Sequence, residues 1–331
     1  MRYRSQKALL LLGNIREEKS IEGLASIRQE TVGVARALLS ETRSTPEVME
    51  ILSHIHHAII RRVYQLCLDE ITAEGLTMPD IRHCFLIMGS AGRREMLLQP
   101  DQDNGFIFED FPDLQQAEVD AFFVPFSERL NMALDRVGYP LCDGDVMARN
   151  SEWRGRLVDW QERISSWLLD PEPTHVRNSS IFFDFLPLMG DVELAHDLRE
   201  MVVRGIETHQ GFLYHMMTLD LRYKVPLGLL GRFSVEKEGH NAGMLSVKYG
   251  GCVYIVDCVR MFALERGIQE ISTMDRLQAL VAQNVFAIET AEHIRAAFEA
   301  LVFLRLRHEI SMIESGHPPS HFLDPYALSK T

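Results

Sequence analysis

Apolar residues recur with a helical period through the first quarter of the chain. Leu24, Ile27, Val34 and Leu38 form one stripe, interrupted by Thr31; Ile51, Ile55, Ile59, Val63 and Leu66 form a second. Residues spaced this way lie on one face of a helix, so residues 22–74 predict two amphipathic helices. Ser44-Thr45-Pro46-Glu47 separates them, with Thr45 suited to the N-cap and Pro46 to the first helical position. The pattern then shortens. Residues 84–88 are a continuous apolar run closed by Gly89, which suits a buried strand. A short helix over 91–96 and a strand from Asp101 through Phe108 follow. Residues 115–137 are an amphipathic helix with Phe122, Phe126, Leu130 and Leu134 inward and Pro125 placed to kink or divide it. Asn150-Ser151-Glu152-Trp153 reads as a capped helix start.

Residues 180–186 predict a third strand. It carries one acid, Asp184, among Phe182, Phe183 and Phe185. A lone acid there is costly to bury unless it binds something. Beyond Gly190-Asp191 the pattern turns mainly helical, over 192–209, 212–223, 252–266, 274–283 and 290–314, while 226–251 is Gly-rich and irregular. These elements predict an α+β fold: a small mixed sheet flanked by helices, then an α-helical bundle. The expected division is a helical lead-in over 1–79, a sheet-bearing domain over 80–190 and a helical domain over 191–331.

Composition narrows the setting. With 331 residues, 46% of them hydrophobic, the chain has ample material for buried cores. Its net charge of −13 makes nucleic acid an unlikely partner through bulk electrostatics, although a local basic groove stays open. The five cysteines form no Cys-x-x-Cys pair and read as reduced thiols. The run Ala8-Leu9-Leu10-Leu11-Leu12 is far short of the roughly 18–20 apolar residues of a membrane span, so no membrane contact is expected and cytoplasmic is the default.

The chemistry concentrates in Met88-Gly89-Ser90-Ala91-Gly92-Arg93-Arg94-Glu95 and, after it, Asp101-Gln102-Asp103-Asn104. Side chains at i and i+2 of a strand share a face, so Asp101 and Asp103 present two carboxylates together. Such a pair suits Mg²⁺, which prefers oxygen ligands alongside substrate phosphates. The Gly89-Ser90 turn lets backbone N–H groups approach a phosphate, and Arg93 or Arg94 supplies a guanidinium for it. Two metal ions can hold the attacking and leaving oxygens of an in-line displacement. Asp184, from a neighbouring strand, would complete the metal site and take the acceptor's proton. The set Asp101, Asp103 and Asp184 is therefore expected to be both catalytic and metal-binding, with Mg²⁺ or Mn²⁺ as cofactor and an NTP as substrate.

Gly89-Ser90, Asp101-x-Asp103 and the apolar-flanked Asp184 resemble the polymerase-beta-like nucleotidyltransferase superfamily. The fuller string from Gly89 to Glu95 with Asp101 to Asn104 resembles the nucleotidyltransferases of bacterial signal-transduction proteins, relatives of the PII-protein uridylyltransferase. Val146-Met147-Ala148-Arg149-Asn150, Gly190-Asp191, Pro226-Leu227-Gly228 with Gly231-Arg232, and Lys248-Tyr249-Gly250-Gly251 with Asp257 and Arg260 extend the likeness over roughly residues 22–325. The resemblance implies a nucleotidyltransferase domain followed by a substrate-binding helical domain, with Lys248 beside the nucleotide. It also implies CBS-pair or cyclic-nucleotide-binding sensor domains as partners in cis or in trans, for which residues before 20 leave no room. Ala91 stands where the family commonly has Glu, Leu186 where it often has Arg, and Cys142-Asp143-Gly144-Asp145 replaces a Cys-x-Gly-Gly segment.

Other readings stay open at this point. Asp143 and Asp145 compete as the third acid. Arg93 and Arg94 also fit surface pairs with Glu95 or Glu109. Lys248, Asp257 and Arg260 also fit a structural salt-bridge set. His56, His57 and His240 have no metal-type spacing. The function expected is transfer of NMP from an NTP to a hydroxyl of a protein, such as a regulatory protein, or of a small molecule. The alternative is a nucleotide-sensing module without turnover, and the long amphipathic helices allow a homodimer.

Overall fold

The computed structural model describes residues 6–41, 44–220, 225–228 and 232–328. Gly231, part of one quoted motif, and the end of the helix expected over 212–223 lie outside them. Three helices lead: α1 (Gln6–Glu17), α2 (Ile21–Glu41) and α3 (Thr45–Ala73). Ser44, rather than Thr45, is the N-cap of α3, and Thr45 is buried as its first residue. Next come β1 (His83–Ile87), the single turn α4 (Gly89–Gly92), β2 (Asn104–Phe108) and α5 (Gln116–Val137), which Pro125 does not divide. Then follow β3 (Arg154–Arg156), α6 (Leu157–Leu169), α7 (Pro173–Phe182), β4 (Leu186–Gly190) and α8 (Val192–Thr208). The C-terminal part holds α9 (Gly211–Asp220), β5 (Leu245–Ser246), α10 (Val253–Glu265), α11 (Thr273–Ala282), α12 (Ile288–Glu314) and β6 (Phe322–Leu323).

The four-stranded sheet has the order β3-β2-β1-β4, and it is mixed: β1 is antiparallel to β2 and β4, while β2 and β3 are parallel. Its register sets Ile87 opposite Asn104, so the ends of β1 and β2 that carry the candidate motifs lie side by side. Alternation divides the strands between two cores. Phe85, Ile87, Phe106 and Phe108 face the hairpin α2–α3 and α5. Cys84, Leu86 and Ile107 face Trp153, Trp160 and the helices α6 and α8. Both sheet faces are covered, which is why β1 and β2 carry near-continuous apolar runs instead of alternating, while the edge strand β3 is Arg-Gly-Arg.

Two packing relations shape the site. Helix α8, which follows residue 190, lies against β1, β2 and β4. Helix α12 returns to α2 and α3, with Phe298, Val302 and Leu306 buried in the same core as Leu24 and Ile55. No helix among the described residues is long and apolar enough to cross a membrane.

Candidate functional site

The acids are aimed by the residues between them. Gln102 and Asn104 turn inward and are buried. Gln102 Nε2 donates to the carbonyls of Asn131 (3.0 Å) and Tyr139 (2.8 Å). Asn131 Nδ2 donates to Gln102 Oε1 (2.8 Å) and Asn104 Oδ1 (3.0 Å). The N–H groups of Ala148 and Arg149 donate to Asn104 Oδ1 and Asn131 Oδ1, both at 2.9 Å. With alternate side chains fixed on one side, Asp101 and Asp103 emerge on the other. The network also explains the segment 146–150: it pins the acid-bearing chain. The strand itself starts at Asn104, not at Asp101, although Met88 N–H donates to the Asp103 carbonyl (2.9 Å) and adds one rung.

Gly89 sits opposite. Its φ is +54°, and a Cβ there would come 2.7 Å from Asp103 Oδ2, so both backbone conformation and space call for glycine. The turn is anchored from α3. His57 Nε2 bonds the Ala91 carbonyl (2.9 Å) and His56 Nε2 the Leu97 carbonyl (2.8 Å). Burial pushes these two histidines down to about 4 and about 3, so they are neutral struts. At Gly92 a Cβ would lie 1.7 Å from the Asp184 carbonyl oxygen, a backbone atom. Gly92→Ala is therefore expected to cost at least about 2 kcal/mol of stability, measured by urea denaturation; an unchanged midpoint would show that the turn relaxes freely.

A cavity of about 310 Å³ gathers most of the expected site residues: Gly89, Ser90, Arg93, Asp101, Asp103 and Lys248 all line it. Arg94 does not; it is exposed, with a φ of +59° that turns it out of the short helix. Burial, then the Asp101 carboxylate, pushes Asp103 up to about 7, while the Cys142 thiol, Lys248 and Arg93 pull the other way. Lys248 lies in the π-helical turn Lys248–Cys252. Arg177, on α7, lines the same cavity and was missed by sequence reasoning. Neither cation has an ion pair among the described residues.

Asp184 is the main correction. The expected strand over 180–186 is the end of α7 followed by a turn, and Asp184 lies in that turn, outside the cavity lining. Its carboxylate is fully buried and faces three guanidiniums. Arg93 Nη1 and Arg260 Nη2 donate to Oδ2 at 2.6 Å, and Arg276 Nη1 pairs with Oδ1 at 2.7 Å. That last contact is an ion pair without hydrogen-bond alignment. Burial alone would raise the Asp184 pKa; Arg260, Arg276 and Arg93 outweigh it and hold the group far below the usual carboxylate range. The turn is clamped further by Arg199, whose Nη1 and Nη2 donate to the carbonyls of Phe183 and Phe185, both at 2.5 Å. Such a carboxylate, buried and already held by three guanidiniums, is poorly placed to ligate a metal ion or to take an acceptor's proton. Asp184 instead joins the sheet-bearing part, through Arg93, to α10 and α11, through Arg260 and Arg276.

Asp257 accepts from Arg260 Nη1 (2.5 Å) and belongs to the Asp184 cluster, whereas Lys248 does not. Arg93 pairs with Glu95 (2.7 Å) as well as with Asp184, and Glu109 pairs with Arg82. Asp145 pairs with Arg149. Among the described residues no group of three His, Cys, Asp or Glu forms a metal cage. The pair Asp101 and Asp103 nonetheless suits Mg²⁺, which takes one or two carboxylates and completes its shell with water and substrate phosphate. After burial, repulsion from Asp101 raises Asp103, and a dication there would relieve it.

Residues 29–174 match the family model described as Putative nucleotidyltransferase DUF294, and residues 210–331 match the Putative nucleotidyltransferase substrate binding domain. No curated protein matches the chain. The cavity draws Gly89, Asp101 and Asp103 from the first matched stretch and Lys248 from the second; Arg177 and Asp184 lie between the two.

Proposed function

The chain belongs to this nucleotidyltransferase family, and from that membership we propose that it moves a nucleoside monophosphate from an NTP to a hydroxyl acceptor, with Mg²⁺ or Mn²⁺ held by Asp101 and Asp103. The observation that carries the reading is the shared cavity: two carboxylates, a glycine-serine turn and the lysine of the second domain all face it. In the reaction the acceptor oxygen bonds to the α-phosphorus, the bond from that phosphorus to the β-bridging oxygen breaks, and pyrophosphate leaves. The hydroxyl proton passes to solvent. A bound dication would neutralise charge developing on the phosphates. The protein's own share is positional. The 89–92 turn offers N–H groups and the Ser90 hydroxyl to the phosphates, and Lys248 adds a flexible point charge. Asp184 stays outside the chemistry and keeps Arg93 and α10 in place around it.

Signalling is the setting that the family likeness suggests. The acceptor is then a hydroxyl on a regulatory protein or a small molecule, and sensor domains of CBS-pair or cyclic-nucleotide type are candidate partners.

The test is pyrophosphate release and label transfer from α-labelled NTPs, with Mg²⁺ and pools of protein and polyol acceptors. Metal-dependent labelling supports transfer. Saturable NTP binding without pyrophosphate would favour the sensing alternative. Within an active system, Lys248→Ala is expected to raise the KM for NTP about tenfold, the worth of one charge-assisted phosphate contact. An unchanged KM would remove Lys248 from the site.

A further inference from the structure

The cavity has a second end that phosphate chemistry does not use. Met49, Leu97, Val256, Phe298 and Val302 form an apolar wall there, and Arg305 of α12 lies beside it. Arg305 is held from behind. Its Nε donates to Glu309 Oε1 at 2.7 Å, and Glu309, 1% exposed, takes the Leu98 N–H on Oε2 at 3.2 Å. A buried carboxylate secured on both oxygens fixes the guanidinium plane. Among the described residues the two Nη groups of Arg305 have neither an ion pair nor a hydrogen bond. Leu98 is three residues from Asp101, a chain reach of at most about 11 Å, the scale of a nucleoside.

Building on the transferase reading, the geometry points to Arg305 as the residue that selects the nucleobase, favouring bases with a keto edge over bases with an amino edge. The apolar wall accepts a flat ring. The guanidinium fork offers donors and no acceptor, and it matches the O6 and N7 acceptors of guanine in a bidentate pair. Adenine and cytosine place an exocyclic NH₂ donor where the fork needs an acceptor; uracil offers one carbonyl, O4, on the corresponding edge. Neither Glu309 nor Glu95 has an oxygen free to answer an amino group. Both oxygens of Glu309 are occupied, as are those of Glu95, which accepts from Thr273 N–H (2.8 Å) and Arg93 Nε (2.7 Å). Gln99, at the rim, is exposed and has no hydrogen bond to hold it among the described residues.

ITP and ATP isolate the effect, because they differ in the group at C6. Binding of GTP, ITP, UTP, ATP and CTP with Mg²⁺ is measured by calorimetry on the full chain. ITP is expected to bind on the order of tenfold or more tighter than ATP, with GTP like ITP. Arg305→Lys keeps a charge opposite Glu309 but loses the fork, and should bring the ITP-to-ATP ratio close to one. Equal affinities for ITP and ATP in the natural chain, or a ratio that survives R305K, overturns the base assignment and leaves the transferase reading standing. Failure of every NTP to bind overturns both.

Discussion

Replacing Asp184 with alanine is expected to destabilise the folded chain by about 3–5 kcal/mol, with no divalent ion present. The six ion-paired charges of its cluster, its own included, balance: Arg93, Arg260 and Arg276 against Asp184, Asp257 and Glu95. Removing the central acid leaves three guanidiniums packed together with one uncompensated charge, and Arg260 and Arg276 are only 3% and 1% exposed. A metal ligand behaves in the opposite way, since taking one carboxylate from an empty cation site relieves repulsion. Thermal and urea unfolding in EDTA therefore separates the two roles. A D184A midpoint equal to or above that of the natural chain would restore Asp184 to the metal site.

The same cluster sets an acid limit. A carboxylate whose folded pKa is depressed contributes stability that is fully present above its unfolded pKa, roughly 3.9, and is lost as pH falls toward the folded value. Asp184 is such a group. His56 and His57, held neutral by burial, act in the same sense from a higher pH: their contribution declines once pH drops below their unfolded pKa, about 6.5. Stability is expected to slope down from about pH 6.5 and to steepen below about pH 4. The steep part should be markedly reduced in Asp184→Asn, the other lowered carboxylates being more exposed.

The sheet and its helices were legible because their signals are local. The apolar run at 84–88 and the helical period of α2, α3 and α5 depend on neighbours in sequence. The turn and the two acids were legible for the same reason, since Gly89, Asp101 and Asp103 lie within fifteen residues, beside the neighbouring ends of β1 and β2. The Asp184 segment was not. A short run such as Ile181-Phe182-Phe183 fits a buried strand and a buried helix end equally well by period. The sequence did say that a lone acid among three phenylalanines must bind something. What it binds comes from Arg260 and Arg276, far along the chain, and no spacing rule reaches that distance. Arg305 was hidden differently: an i,i+4 pair with Glu309 reads as an ordinary helix-surface contact until α12 is seen folded back against Leu98. Arg94, one step from Arg93, differs from it only in a backbone angle.

Asp101→Asn and Asp103→Asn should each lower kcat/KM for nucleotidyl transfer by about 10³ or more, the loss of roughly 4 kcal/mol of transition-state stabilisation. The same changes should not weaken the fold, and for Asp103 the sign of the stability effect can be worked out. Its folded pKa is raised, to about 7, so its favourable contribution is complete at low pH and is lost as pH rises through that value. At pH 8 the natural chain carries two facing carboxylates, and Asp103→Asn should melt a few degrees higher. At pH 5 Asp103 is protonated in the folded chain and the difference should be smaller; it vanishes only below the unfolded pKa, about 3.9. Added Mg²⁺ should raise the melting point of the natural chain at pH 8, by mass action on the folded state alone, and should do little for D103N. These readouts are independent, since one follows turnover and the other needs no substrate. Transfer that persists in the Asp101→Asn, Asp103→Asn double variant would place the chemistry elsewhere. Melting points indifferent to pH, Mg²⁺ and Asp103→Asn alike would mean that the two carboxylates do not share a cation.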